Sequence, residues 1–526
     1  MSKFIKHIIT GQKARDKILI GMNILADAVA STLGPRSRNV AVDKVPGHDI
    51  PPSVLHDGVS VAKSINLKDV HEDMGVRLLK GASLKTDEIA GDGTTTSTIL
   101  AQALINEAFK RIAAGENPMV LKSQMEKELS IVIEKLKELS TPIKTDEEME
   151  QVATISAGDP LIGKLISEAI KTIGTDGVIS IEDGTSYETT VTYKQGMEID
   201  RGYATTSPYF QTSGETTESI IENPVILMTD RKLNYAHQLV PFFDKFKDKS
   251  DIKNIVIFAG EIVEEALQFL VINKLRGNLH VLAVQSPAFG DRRIDELEDM
   301  AILTGGKAIL EDTGRQLDNV EFIELGRAEK VIADRDKTII LGGKGEATAI
   351  NKRMDDLREQ IKTANTPYDA VIKEQRLAKL SGGVAVINVG GATEIEMREK
   401  RERVIDAKKA TKAAIEEGIV AGGEITLLTL ANKYLKPGSI MYHALQAPFK
   451  KLIDNSGLDY GNVREKMAGK EYPWGIDVTC GCVKDLIKTG IIDPAKVTRS
   501  ALENAVSISG MVMTTDTLVT DLVEEK

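Results

Sequence analysis

Apolar residues recur at helical spacing along the first part of the chain. Ile18, Met22, Leu25, Val29 and Leu33 make one stripe, and Gly34-Pro35 stops it. Leu100, Leu104, Ala108 and Ile112 make a second, with Ile105 and Phe109 beside them, ended by Gly115 and Asn117-Pro118. A third runs through Leu121, Met125, Leu129, Val132, Leu136 and Leu139 and breaks at Pro142. In the middle of the chain the pattern changes. Short β-rich runs, VILM (225–228), NIVIFAG (254–260) and LHVLAV (279–284), alternate with amphipathic segments at 234–247, 261–276 and 293–303. Alternation at this spacing predicts an α/β unit with parallel strands. Two helical segments split at Asn365-Thr366-Pro367, a strand at 385–390 and a long charged helix at 394–417 follow. The C-terminal part reads as helical again. The pattern predicts a mostly α chain whose helical ends pair, with an α/β domain inserted between them. Gly196, Gly382-Gly383 and Gly418, at the transitions, are candidate hinges, and each is also explained as an ordinary turn residue.

At 526 residues the chain is too long for one core, so several domains are expected. Aromatic residues are only 4%, which leaves the core to aliphatic packing. A net charge of −11 argues against a nucleic-acid or anionic-membrane partner. No apolar run approaches the roughly 18 residues a membrane helix needs. The opening MSKFIKHIITGQKARDK lacks the apolar stretch of a secretory signal. Cys480 and Cys482 sit in CGC, where a bridge would be strained and a metal would need further ligands. They read as reduced thiols, and the expected location is cytoplasmic or an equivalent reducing, soluble compartment.

The chemistry concentrates at AGDGTTT (90–96). There is no Walker A pattern: GGKGEA (342–347) and GGKA (305–308) lack its spacing. The AGDGTTT segment offers another way to hold phosphate. A helix start presents free N–H groups, Gly91 and Gly93 let a phosphate approach closely, and Thr94, Thr95 and Thr96 add hydroxyl donors. Asp92 repels phosphate unless a cation such as Mg²⁺ lies between them. Plain helix capping by Asp and Thr explains the same residues.

In chain order, TLGP (32–35), DGVSVA (57–62), AGDGTTT, ISA (155–157), AGG (421–423) and DPAKVTRSAL (493–502) resemble the group I chaperonins, the GroEL type. FGDRR (289–293), LTGG (303–306) and KLSGGVAVI (379–387) are similar to that family too, so the resemblance spans the chain. It implies an ATP-driven folding machine built as a homo-oligomeric ring, usually of seven subunits, acting on non-native polypeptides with or without a co-chaperonin lid. The implied architecture has three domains: an equatorial ATPase domain (1–138 and 417–526), an intermediate hinge domain (139–194 and 385–416) and an apical substrate-binding domain (195–384). By the resemblance, Asp92 holds Mg²⁺ and Gly93, Thr94, Thr95 and Thr96 cradle phosphates. Thr32, Leu33, Gly34, Pro35, Gly58, Ile155, Ser156 and Gly423 line the nucleotide. Leu452, Asp477, Val478, Thr479, Ile491 and Asp493 match its base and ribose side. Asp406 matches the carboxylate that orients the attacking water, and Asp57 its catalytic companion. Thr32 and Thr95 also lie where the family binds K⁺. Tyr203, Tyr209, Phe210, Val240, Phe243, Leu267, Val271 and Ile272 fall at positions for polypeptide binding, and an exposed apolar groove suits unfolded chains.

The chain departs from the family pattern at several places. His56 replaces the usual lysine before DGVS, RSRN (36–39) follows TLGP, Glu424 stands for the third glycine of a triple, and Asp477 stands for an asparagine. An Ala-Thr-Thr insertion (204–206) precedes SPYF. The chain ends at VEEK without a Gly-Gly-Met tail, and ANKYLKPGSIMYHALQAP (431–448) is shorter than its counterpart, which points to a weakened ring–ring contact or a single ring. Two other readings stay open: a ring-shaped holdase or scaffold with weak ATPase, and a small-molecule phosphotransferase using the GDGTTT pocket.

Overall fold

The computed structural model describes residues 6–43, 53–174, 177–184, 186–204, 208–212, 218–246, 250–364 and 366–521. The VEEK ending and two of the three inserted residues at 204–206 lie outside them. The chain divides into two compact units, Met1–Glu168 with Thr393–Lys526, and Ala169–Ala392. The first is helical and takes both ends of the chain; the second is α/β and continuous in sequence.

The three predicted stripes form helices Gln12–Ala30, Thr94–Ala113 and Pro118–Leu139. Each buries its stripe in one core with residues from the far end of the chain, Leu502, Ala505, Val506 and Val512. Local chemistry sets the ends. Asn117 accepts the Met119 amide ahead of Pro118, and Thr145 and Glu148 form a reciprocal capping box on helix Asp146–Ala157. Helix Val70–Ala90 crosses Gln12–Ala30 at nearly backbone contact. A Cβ on Gly21 would lie 1.8 Å from the Glu72 carbonyl oxygen, and one on Gly75 would lie 2.3 Å from that of Ile18.

The C-terminal part is helical as expected, but it also holds strands that the hydrophobic pattern does not show. Lys6–Thr10 pairs antiparallel with Thr517–Asp521, with Ile8 opposite Val519. Ile419–Ala421 pairs with Ile492–Pro494, and Trp474–Asp477 with Cys482–Asp485. Runs of three to five residues are too short to display an alternation, and two of these pairs join segments far apart in sequence.

In the α/β unit, strands His280–Gln285, Asn254–Ala259, Val225–Thr229 and Ala308–Ile309 line up in parallel in that order, as the alternating pattern predicts. They are buried on both faces, so they read as continuous apolar runs. An antiparallel sheet, Gly196–Ile199, Thr338–Leu341, Lys330–Ala333 and Ser219–Glu222, accompanies them. Gly196 lies within its edge strand, where a Cβ would sit 2.4 Å from the Ile340 carbonyl oxygen, so close approach explains this glycine. Among the described residues no helix is long and apolar enough to cross a membrane.

The glycine crossing makes a test with a definite sign. Alanine is the better helix former by about 1 kcal/mol, so propensity alone predicts that Gly21→Ala stabilises. The contact with the Glu72 carbonyl reverses this, and a loss of about 1–3 kcal/mol is expected, as for other overpacked sites. Calorimetry reads it as a lowered melting temperature; an unchanged or higher one refutes the close approach.

Candidate functional site

The AGDGTTT segment joins two helices of the helical unit. Gly91 ends Val70–Ala90 in the left-handed conformation, and Gly93, at φ +77°, starts Thr94–Ala113. No side chain caps the second helix: Asp92 Oδ1 accepts only the Gly93 amide, at 2.5 Å. The first-turn amides are therefore left for another acceptor, and capping does not account for the threonines. The Thr95 and Thr32 hydroxyls meet at 3.0 Å, and Thr32 also donates to the Val29 carbonyl. Gly58 lies directly below; a Cβ there would be 2.3 Å from Thr95 Oγ1 and 3.2 Å from Thr94 Oγ1. The hydroxyl of Ser156 reaches Asp92 Oδ2 at 3.3 Å. Thr96 donates to Glu424 Oε1 at 2.5 Å.

Carboxylates surround this cradle. Asp57 caps helix Gly58–Ser64 by accepting the Ser60 amide at 2.8 Å, which fixes its position. Asp406 comes from the long helix Glu394–Glu417 and makes no side-chain hydrogen bond among the described residues. Burial, with the charges of Asp92, Asp57 and Asp87, pushes its pKa to about 9. Burial also raises Asp92, Glu424 to about 8 and Asp493 to about 7; Asp493 and Asp92 add to the shift on Glu424, and Asp92 to that on Asp493. All four are half-buried, so they line a cleft that solvent still reaches. Lys409 pairs with Asp87 at 2.8 Å and is the cation that opposes the shift on Asp406. Such a group of carboxyls favours a cation. Among the described residues no three His, Cys, Asp or Glu side chains form a metal cage. The donor set instead fits an ion shared between Asp92 and phosphate oxygens, as Mg²⁺ commonly is.

The other wall is apolar. Leu452 and Val478 are buried in one cluster with Leu33 and Ile491 packed on it. A Cβ on Gly34 would meet Leu452 at 2.3 Å, and one on Gly422 would meet Asp493 Oδ1 at 3.0 Å. Gly423, at φ +62°, faces Leu486 and Leu452. Asp477 accepts from the Thr479 amide and hydroxyl at 2.9 and 2.5 Å and pairs with Lys484 at 2.9 Å. Burial acts to raise its pKa, but these bonds together hold it below the usual carboxylate range. Pro35 and Ile155 are exposed, next in sequence to Gly34 and Ser156 of the cradle. The His56 ring lies 3.6 Å from Glu399.

Three contributors were missed by sequence reasoning. Asn455 donates to the carbonyls of Ala30 and Leu33 at 2.9 and 3.0 Å, and Arg36 to those of Ser456 and Thr479 at 3.2 and 2.8 Å. They tie the TLGP turn to the apolar wall across more than 400 residues, and no local pattern signals that. Gly422 could have been found from the AGG pair.

In the α/β unit the eight apolar candidates divide. Phe210 is 0% and Tyr203 6% exposed, so both are core side chains, a correction to their expected place on an open surface. Both belong to the main apolar core of the unit, and the Lys274 ammonium donates to the Phe210 carbonyl at 2.8 Å and lies over its ring. Burial there lowers the lysine pKa to about 8. Tyr209, Ile272 and Val240 are 49%, 45% and 36% exposed, and Phe243, Leu267 and Val271 are half-buried. Helix Glu264–Leu275 buries Ala266 and Leu270 on one side while Ile272 and Leu275 stay exposed. Helix Val240–Phe246 buries Phe242 and Phe246 and leaves Val240 outside.

The family model of the TCP-1/cpn60 chaperonins matches residues 25–522. Among solved structures, chaperonin gp146 from the bacteriophage EL 2 (Pseudomonas aeruginosa), crystallised in presence of ATP-BeFx, has the same fold. Its crystal form II superposes with a TM-score of 0.72 at 21% identity, over 98% of this chain and 99% of gp146. Crystal form I gives a TM-score of 0.62 at the same identity and coverage.

The raised carboxyls set a pH dependence. Asp406 moves from 3.8 to about 9 on folding, so between these values the folded protein keeps a proton that the unfolded chain has released. Stability then falls as pH rises through this window. Without nucleotide or divalent cation, the melting temperature is expected to drop from pH 5 to pH 9. Asp406→Asn should melt higher than wild type at pH 8 and alike at pH 4. A difference that does not change with pH refutes the shift.

Proposed function

Because the chain belongs to the TCP-1/cpn60 chaperonin family, we propose that it is an ATP-dependent chaperonin, with an ATPase site in the helical unit and a polypeptide-binding surface in the α/β unit. The observation that carries this reading is the uncapped helix start at Thr94, flanked by threonine hydroxyls and by Asp57, Asp92 and Asp406. In this reading the amides and hydroxyls of Thr94, Thr95 and Thr96 bind phosphate, and Asp92 holds Mg²⁺. Thr32 and Thr95 supply oxygens for K⁺, and Leu33, Leu452, Val478 and Ile491 enclose the base. Mg²⁺, when bound, supplies positive charge that offsets the phosphates and favours the ionised form of Asp406. Asp406, with no competing hydrogen bond, accepts one from the attacking water and orients it, while Asp57 shares the charge environment. That gp146 was crystallised with ATP-BeFx supports a nucleotide in this fold. We extend the proposal to the three-domain division at 138, 194, 384 and 416, to a homo-oligomeric ring of seven and to non-native polypeptides as clients. A ring-shaped holdase with weak ATPase is the second reading, favoured by the extra carboxyl of Glu424 in the cleft.

Steady-state ATPase separates the two. The wild type should turn over ATP only with Mg²⁺, and Asp406→Ala should lose about a hundredfold or more while still binding nucleotide. Turnover unaffected by Asp406→Ala, or none in the wild type, sinks the proposal. For the α/β unit, serine at Tyr209, Val240 and Ile272 together should reduce capture of a urea-denatured reporter enzyme severalfold. The ATPase rate should be unchanged, and so should the ring mass, about 400 kDa for seven chains of 57.2 kDa. Undiminished capture would remove this surface from the proposal.

A further inference from the structure

One side chain of the cleft has no task in phosphate binding or hydrolysis. Glu424 sits at φ +60°, ψ 10°, immediately before helix Ile425–Tyr434, and its carboxyl does not cap that helix. It is one of four non-glycine residues with positive φ among the described residues. Left-handed backbone suits glycine, which occupies it at neighbouring Gly423, and is disfavoured for a residue with a Cβ. Strain of this kind persists where the side chain has a use.

The use is visible in the hydrogen bond of its carboxyl. Glu424 Oε1 takes the hydroxyl of Thr96 at 2.5 Å, across 328 residues of sequence. Thr96 lies in the first turn of the uncapped helix, among the donors that the proposed function assigns to phosphate. A threonine hydroxyl has one proton to donate. While it points at Glu424, only its lone pairs are left for a phosphate oxygen, which has lone pairs of its own.

We propose that Glu424 competes with nucleotide phosphate for the Thr96 hydroxyl. Binding must break the Thr96–Glu424 bond and leave Glu424 in the cleft without that donor, so the residue lowers the affinity for nucleotide. The inference rests on the nucleotide reading of the cleft.

The test is calorimetric titration of full-length protein with Mg-ATP, for wild type, E424G, E424Q, T96V and the double variant T96V/E424G. Glycine suits the left-handed position, so E424G should fold. E424G is expected to bind about tenfold tighter than wild type. E424Q keeps an acceptor oxygen for Thr96 and should restore affinity to near the wild-type value. In the T96V background, E424G should leave Kd unmoved. Melting temperatures without nucleotide are read on each variant, because a purely structural role shifts these and not Kd. Equal or weaker binding by E424G overturns the proposal. So does E424Q matching E424G, which would assign the effect to charge. Wild type and all variants failing to bind Mg-ATP would overturn the nucleotide reading and this inference together, a result distinct from binding that E424G does not change.

Discussion

The helical unit depends on joining the two ends of one chain. Ile18, Leu25, Leu100 and Leu104 from the first part share a core with Leu502, Ala505 and Val506 from the last. None of the helices could bury its stripe alone, because a single amphipathic helix gains most of its stability from the partner that covers it. The cleft inherits this. Its threonine side comes from residues 32, 58 and 92–96, its apolar wall from 423, 452 and 478, and each is in place only when the shared core has formed. Asn455 and Arg36 show the dependence at single bonds, since each fastens one half of the chain to a turn in the other.

Within that core the cleft carries an electrostatic load. Burial raises the proton affinity of Asp92, Asp406, Glu424 and Asp493, the charge of Asp92 adds to it at the other three, and Lys409, which opposes the shift on Asp406, is already paired with Asp87. The arrangement is poorly balanced in the isolated chain and better balanced with a cation in it.

Much of this was legible in the sequence because it depends on period and on turn chemistry. The stripes at 18–33, 100–112 and 121–139 and the apolar runs at 225, 254 and 279 found their elements. The AGDGTTT segment declared a helix start with unusual donors. The terminal strand pair was not legible, because Ile8 and Val519 are neighbours only after folding. Nor was the burial of Phe210 and Tyr203, since an aromatic residue in a core and one on a binding face have the same local sequence. Glu424 stood out in the sequence as a carboxylate in place of a glycine, but its partner Thr96 and its left-handed backbone come only from the fold.

The insertion of one unit into the other sets an order in time. Residues 169–392 are continuous and can complete their core while the chain is still being synthesised. Residues 12–136 cannot, because their partners at 495–518 are made only after the whole α/β unit. At about 5–20 residues per second the early helices wait roughly twenty seconds to over a minute with apolar stripes uncovered. For that interval the nascent chain displays the same kind of surface that the finished protein is proposed to recognise in others.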